Sequence, residues 1–340
     1  MQNVPGTRRT RLRRLAWGAL AAVLALGAIE AVLRVMVRVA GYNLFAEATV
    51  DDPELDWRLN PGYRGPGTTI NRAGFRGPDL PGEGARRLVA ALGDSCTFGT
   101  GVTDAEAWPA ALERLLGPPW AVANAGVPGY TSSQCLRRLE RDVLPLHPEG
   151  VVIKVLWNDL WTYRNAGANT AASPRARAVS RALSRSLAFT LLRDRVVNPL
   201  RARPAADPAL APEPGADPAA ALALYRRNLD AMIALARRSG AWVVVLGPGS
   251  APPEADLPLT PSWGEGRERF DDLRRRFLGE AREAASAGGA PFLEPEDLLP
   301  GGPGGIDFLD AVHRNAAGHL RVAEALARWI GNLSTGNGTR

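Results

Sequence analysis

Short apolar runs separated by helical stretches constrain this chain more than any other feature. LVAAL at 88–92, VVIKVLW at 151–157 and WVVVL at 242–246 are nearly continuous and largely β-branched or aliphatic, which suits strands buried on both faces. Trp120–Asn124 and Pro291–Leu293 read as two shorter strands. Between them lie helical patterns at Ser132–Val143, Ala219–Ser239, Arg267–Ala287 and Ala316–Ile330. The second has Leu222, Leu224, Tyr225, Leu229, Met232, Ile233 and Ala236 on one side, the stripe expected of a core-facing helix. Thr103-Asp104-Ala105-Glu106 has the capping-box pattern for a helix reaching about Leu116, although Pro109 equally fits a first helical turn. Strands alternating with helices predict an α/β domain whose parallel sheet is covered on both faces.

Ahead of this domain stands an apolar segment. Leu15 to Ile29 is free of charge, and the run resumes after Glu30. As a helix, Leu15 to Val37 would span ~34 Å, enough to cross a bilayer. Five arginines precede it, so the positive-inside rule puts residues 1–14 in the cytoplasm and everything after about residue 40 outside. An uncleaved signal anchor over 15–37 fits the length of the run, and a cleaved signal peptide is the alternative. Residues 38–80, rich in turn formers such as Asn60-Pro61-Gly62, read as a stem or irregular lead-in. The domain itself is expected over 81–332, with a flexible tail at 333–340. An insertion at 165–218 interrupts it and ends in the proline- and alanine-rich stretch Arg203–Asp217. Its Val179, Leu183, Leu187 and Leu191 recur every fourth residue among arginines. A lid, a cationic helix resting on the membrane and a helix packed on the domain all remain open readings.

Charge narrows the partners. Of 41 cationic and 35 anionic residues, residues 1–38 hold seven arginines and Glu30, so the remainder is balanced at 34 against 34. A neutral domain argues against nucleic acid as the main partner. The cations are arginines throughout except Lys154. The two cysteines, Cys96 and Cys135, have no metal-ligand spacing. They pair as a disulfide or serve as two small buried hydrophobes.

The first strand ends in Gly93-Asp94-Ser95. A strand, a sharp turn presenting a hydroxyl and then a helix is the layout of an activated serine. Such a serine needs a base, and only His147, His313 and His319 are present. His147 precedes a strand and would enter at the amino end of the sheet, whereas ligands bind at the carboxyl ends. His319 falls inside the last helix. His313 has Asp310 three residues before it, so that a carboxylate can orient the imidazole, or merely form a capping contact. Gly126 and Asn158 follow the second and third strands, where oxyanion donors belong. Each also reads as a plain turn or cap residue. Asn315 is positioned to cap the closing helix.

Gly93-Asp94-Ser95, Gly126 in NAGVPGY, Asn158-Asp159 and Asp310-Ala311-Val312-His313 resemble the four blocks of the SGNH (GDSL) hydrolase superfamily, over about residues 68–331. The lead-in Asn71-Arg72-Ala73-Gly74-Phe75-Arg76-Gly77 resembles membrane-anchored bacterial members. The resemblance implies a three-layer α/β/α, flavodoxin-like fold with about five parallel strands. It implies Ser95 as nucleophile, His313 as base and Asp310 as its orienter. The Ser95 N–H, the Gly126 N–H and the Asn158 amide would form the oxyanion hole, and neither metal nor cofactor is implied. Two positions depart from the pattern: Leu156 stands where many members have glycine, and Cys96 follows the serine.

The expected function is a membrane-tethered, extracytoplasmic serine esterase cleaving O-acyl, including acetyl, esters of a glycan or lipid. An O-acyltransferase acting on a cell-envelope or exported glycan, and a non-catalytic envelope-binding protein, are the alternatives. Tyr130, Trp157, Trp161 and Tyr163 are candidate sugar platforms or simply core aromatics.

Overall fold

The computed structural model describes residues 6–39, 48–82, 87–160, 186, 188, 218–252, 267–294 and 307–334. The chain divides into two compact units, one of Met1–Ala46 with Ala171–Ala206 and one of Glu47–Thr170 with Asp207–Arg340. The Arg203–Asp217 linker, Trp161 and Tyr163 lie outside the described residues, as does the insertion apart from Ser186, Ala188 and Pro218.

The first unit contains α1 (Gly6–Val39). Its stretch Arg13–Val35 is long and apolar enough to cross a membrane, a property that a signal sequence shares. Leu15, Trp17, Val23, Leu24 and Val32 are all exposed. Glu30 forms an ion pair with Arg34 one turn on, at 2.8 Å. It also accepts from Ser186 Oγ at 2.9 Å and the Ala188 N–H at 3.0 Å.

In the second unit, two small antiparallel hairpins come first. They are β1 (Thr49–Asp52) with β2 (Asp56–Leu59), and β3 (Arg64–Gly65) with β4 (Thr68–Thr69). The α/β region follows: β5 (Arg87–Gly93), α2 (Ser95–Phe98), α3 (Trp108–Leu116), β6 (Trp120–Gly126), α4 (Ser132–Arg138), β7 (Gly150–Lys154), α5 (Ala219–Arg238), β8 (Trp242–Leu246), α6 (Arg267–Ala287), β9 (Phe292–Leu293) and α7 (Ala316–Ser334). The five strands from β5 onward form one parallel sheet in the order β6-β5-β7-β8-β9.

Strand alternation sorts the core into two layers, because successive side chains point to opposite faces. Ala90, Leu92, Val151, Ile153, Val243 and Val245 pack with Leu139, Tyr225, Leu229, Ile233, Phe270 and Phe277. Val89, Ala91, Val152, Val244 and Leu246 pack with Trp108, Leu112, Val322, Leu326 and Ile330 from α3 and α7. Each fully buried aliphatic side chain stabilises the fold by about 1.5–3 kcal/mol relative to exposure. Leu55, Leu59, Ile70 and Phe75 belong to the first layer. The segment expected to be an irregular stem is thus, from residue 48 on, partly paired into hairpins and built into the core.

Several boundaries differ from the sequence reading. The third helix starts at Trp108, not at the capping box. Glu106 does accept from Thr103 N–H and Oγ, but Ala107 is extended and Pro109 occupies the first helical turn. The missing proline N–H costs nothing there. The third strand stops at Lys154, and residues 157–160 are helical. Leu224 is exposed, whereas Leu222, Tyr225, Asn228, Leu229, Met232, Ile233 and Ala236 form the buried stripe of α5. Leu224 lies about 100° from Tyr225 around the axis, outside that stripe. The closing helix extends to Ser334, two residues into the expected tail.

His319 packs as the sequence suggested, inside the last helix. It is buried, and its Nδ1 accepts the Trp108 N–H at 3.2 Å, capping α3, whose N-cap Ala107 has no side-chain bond to offer. Burial, with Lys154 and Arg314 nearby, lowers its pKa from 6.5 to about 3. The unfolded chain therefore binds more protons between pH 6.5 and 3. Stability contributed by neutral His319 is present above pH 6.5 and is lost as pH falls towards 3. His319→Gln, which keeps an acceptor for Trp108, is expected to lose less stability on acidification from pH 7 to 4, read as a smaller fall in Tm than wild type shows.

Candidate active site

Ser95 opens α2 at the carboxyl end of β5. Asp94 caps that helix, its Oδ1 accepting the Cys96 N–H at 2.9 Å. Gly99 ends it after one turn, in the left-handed region at φ 93°, donating to Ser95 O. The turn is tight because β5 and β7 meet it closely. A Cβ on Gly93 would lie 2.1 Å from Lys154 O, a distance no side chain tolerates.

Ser95 Oγ lies 2.9 Å from His313 Nε2, and His313 Nδ1 lies 2.8 Å from Asp310 Oδ2. A carboxylate only accepts, so Nδ1 carries the proton in this contact and Nε2 is left to accept from the serine hydroxyl. Asp310 Oδ1 accepts the N–H groups of Val312 and His313 at 2.8 and 2.7 Å. Burial pushes the Asp310 carboxyl up. The hydrogen bond and charge of His313, with those two backbone donors, outweigh it and hold the pKa below its ordinary value. The Leu309 N–H donates to His313 O, and the Asn315 N–H to Asp307 O, fastening both ends of this loop. Asn315 caps α7, its Oδ1 accepting from the Gly318 N–H at 3.0 Å.

Cys96 and Cys135 are both buried and both free. Cys96 Sγ is 3.4 Å from Val312 O, and burial pushes its pKa up to about 12. It is a packed thiol between the serine turn and the histidine loop.

β6 and β7 flank β5, so the loops after both reach the same end of the sheet as Ser95. Asn158 lies in the helical turn that follows β7, and its Nδ2 donates to Tyr130 O at 2.9 Å. One amide hydrogen remains. Asp159 accepts from Ser132 N–H at 2.8 Å and from Ser132 Oγ at 2.5 Å. It thus ties this turn to the start of α4, and burial raises its pKa to about 7.

Gly126 is differently placed from the sequence expectation. Its N–H donates to Asn124 Oδ1 at 3.1 Å. A Cβ there would fall 2.2 Å from Phe98 N, so glycine at 126 serves close packing of β6 against α2. Three residues on, Gly129 has φ 85°, and its N–H has no partner among the described residues. Pro128-Gly129 is a turn signal that demands glycine, a cue the sequence carried. Tyr130 and Trp157 are buried. Trp157 stacks on Phe270 at 5.4 Å, and Tyr130 Oη donates to Trp57 O at 2.5 Å. Both are core aromatics, not sugar platforms. His147 has φ 49° and closes a turn at the amino end of β7, away from the serine.

Arg76 carries no signal of its own in the sequence, yet it holds the serine turn. Its guanidinium is buried and donates to Phe98 O, Gly99 O and Val102 O at 2.8, 2.6 and 2.7 Å. It also donates to Gly67 O and Thr68 Oγ at 3.2 Å. Asp104 receives its Nε at 2.7 Å. No cluster of His, Cys, Asp and Glu suited to a metal ion occurs among the described residues.

Comparison with known proteins gives one family. The model of the GDSL-like lipase/acylhydrolase family matches residues 91–321. Among solved structures, the chain is similar to a lipase/acylhydrolase from Enterococcus faecalis, with 20% identity and a TM-score of 0.45, covering 73% of this chain and 96% of that one. It is also similar to a catalytic mutant of an acetylxylan esterase from Geobacillus stearothermophilus, with 17% identity, a TM-score of 0.45, and coverage of 74% and 96%. No curated protein matches. The family match spans more than half of the sequence and contains the serine turn, the histidine loop and four of the five parallel strands, and β5 enters it from Ala91 on: the chain belongs to the GDSL-like lipase/acylhydrolase family of serine ester hydrolases.

Proposed function

We propose that the protein is a membrane-tethered, extracytoplasmic esterase that cleaves O-acyl esters through an acyl-serine intermediate at Ser95. The observation that carries this reading is the chain of contacts from Ser95 Oγ to His313 Nε2 and from His313 Nδ1 to Asp310, at 2.9 and 2.8 Å. His313 takes the serine proton as the hydroxyl attacks the ester carbon, and returns it to the leaving alcohol. Asp310 keeps Nδ1 protonated and stabilises the imidazolium. Water, activated by the same imidazole, then releases the acid.

The developing oxyanion needs donors that are not already engaged. Ser95 N–H and Gly129 N–H have no partner among the described residues, and Asn158 has one amide hydrogen left. These three are the proposed oxyanion hole, with Gly129 in the role first assigned to Gly126. The apolar Arg13–Val35 stretch of α1 and the arginines before it support the tether and the outward orientation of the domain.

The test is hydrolysis of an aryl acetate by the detergent-solubilised full chain. Ser95→Ala is expected to lose at least ~10³-fold in kcat with an unchanged Tm. Equal activity in the variant removes the reading. Product analysis with an added glycan acceptor separates hydrolysis from acyl transfer, since both share the acyl-serine.

A further inference from the structure

The 48–82 lead-in lies outside the family match of 91–321, yet it closes over the loop that follows β6. Trp57, on β2, meets that loop at each of three successive residues. Its Nε1 donates to Pro128 O at 3.2 Å. A Cβ on Gly129 would come within 2.9 Å of its Cζ2, so the indole lies directly on the Gly129 Cα. Tyr130 Oη donates to Trp57 O, and the two rings meet edge to face at 5.8 Å. From the other side, Asn158 holds Tyr130 O. The loop is clamped between the two.

Trp57 is itself held firmly. Asp56, just before it, has φ 65°, a region that costs a non-glycine residue free energy and persists only where surroundings fix it. Asp52 Oδ1 accepts the N–H groups of Glu54 and Leu55, both at 3.0 Å. Gln134 Nε2, from α4, donates to Leu55 O at 2.9 Å. A strained hairpin tip pinned from both sides presents one indole to one glycine.

We propose that Trp57 is a positioning residue of the ester-cleaving site, fixing the Gly129 peptide so that its N–H faces the developing oxyanion. The proposal rests on the acyl-serine reading above. A glycine at φ 85° between a proline and a tyrosine has little of its own to hold it. An oxyanion donor, however, works only within about 2.7–3.1 Å of the charge. Loosening the clamp therefore weakens transition-state stabilisation and leaves binding of a small ester nearly unchanged.

The experiment compares wild type, Trp57→Phe, Trp57→Ala, Glu54→Gln and Ser95→Ala as full chains, with aryl acetate kinetics normalised to Ser95 titrated by a fluorophosphonate. Trp57→Phe keeps the ring and removes the Nε1 donor. Its kcat per titrated site is expected to fall about 10-fold, that of Trp57→Ala about 100-fold, and KM to stay within about twofold. Glu54→Gln, which weakens only the exposed ion pairs with Arg137 and Arg141, should match wild type. If the Trp57 variants lose Tm but keep wild-type kcat per titrated site, Trp57 is only structural and the proposal is overturned. Should Trp57→Ala fail to fold, Trp57→Phe decides by the same criterion. An unlabelled wild type, or an active Ser95→Ala, instead overturns the acyl-serine reading and the proposal with it.

Discussion

Asp310→Asn is expected to lower kcat for an aryl acetate by about 10³–10⁴-fold while the protein stays folded. An asparagine at 310 still accepts from the backbone N–H groups of Val312 and His313, which the carboxylate holds at 2.8 and 2.7 Å. The loop is therefore kept. What changes is the imidazole. An amide facing Nδ1 can donate to it, which leaves the proton on Nε2, pointing at Ser95, where a base is needed. The stabilisation of the imidazolium by a negative neighbour is lost as well. Steady-state kinetics with a thermal melt on the same sample check this. A variant within tenfold of wild type would show that the 2.8 Å contact is only a turn cap.

Arg76→Met is expected to be the most destabilising single change outside the core, costing about 3–5 kcal/mol. The buried guanidinium serves four backbone carbonyls, Thr68 Oγ and the Asp104 carboxylate. Removing it strips Val102 O of its donor, leaves Phe98 O, Gly99 O and Gly67 O with one donor each in place of two, and takes the cation from Asp104; the penalty for under-satisfied buried groups exceeds the gain from making the bonds. Arg76→Lys, with three donors on a point charge, should recover only part. Arg72, four residues earlier, pairs with Asp79 at 2.8 Å but is almost fully exposed. Its replacement by alanine should leave stability unchanged, since solvent already screens that pair. Urea unfolding of the three variants measures the contrast, and equal midpoints for Arg72→Ala and Arg76→Met would refute it.

The sheet was legible because a strand buried on both faces leaves a strong mark: VVIKVLW and WVVVL have few other uses. The serine–histidine–aspartate arrangement was legible because few alternatives existed. With three histidines in the chain, topology excluded one and helix position another. The loop after the second strand was harder. Gly126 and Gly129 both follow the second strand, and which N–H is free depends on where the Asn124 side chain turns, a tertiary fact. The lead-in was the least legible. Residues 48–82 have little periodicity, because their order comes from Arg76, Arg138 and Trp57 reaching acceptors dozens of residues away. Arg138, for example, donates to Gly74 O, 64 residues before it, at 2.9 Å. A short sequence window never contains both ends of such contacts.

Rapid-quench mass spectrometry during aryl acetate turnover detects the proposed acyl-serine at Ser95 itself. A single acetyl group is expected on the peptide bearing Ser95, formed in a burst with the first phenolate released. No such adduct should form in Ser95→Ala, and a greatly slowed one in His313→Ala. Turnover with no acetylated peptide, or with the acetyl group on another residue, would contradict the acyl-serine mechanism.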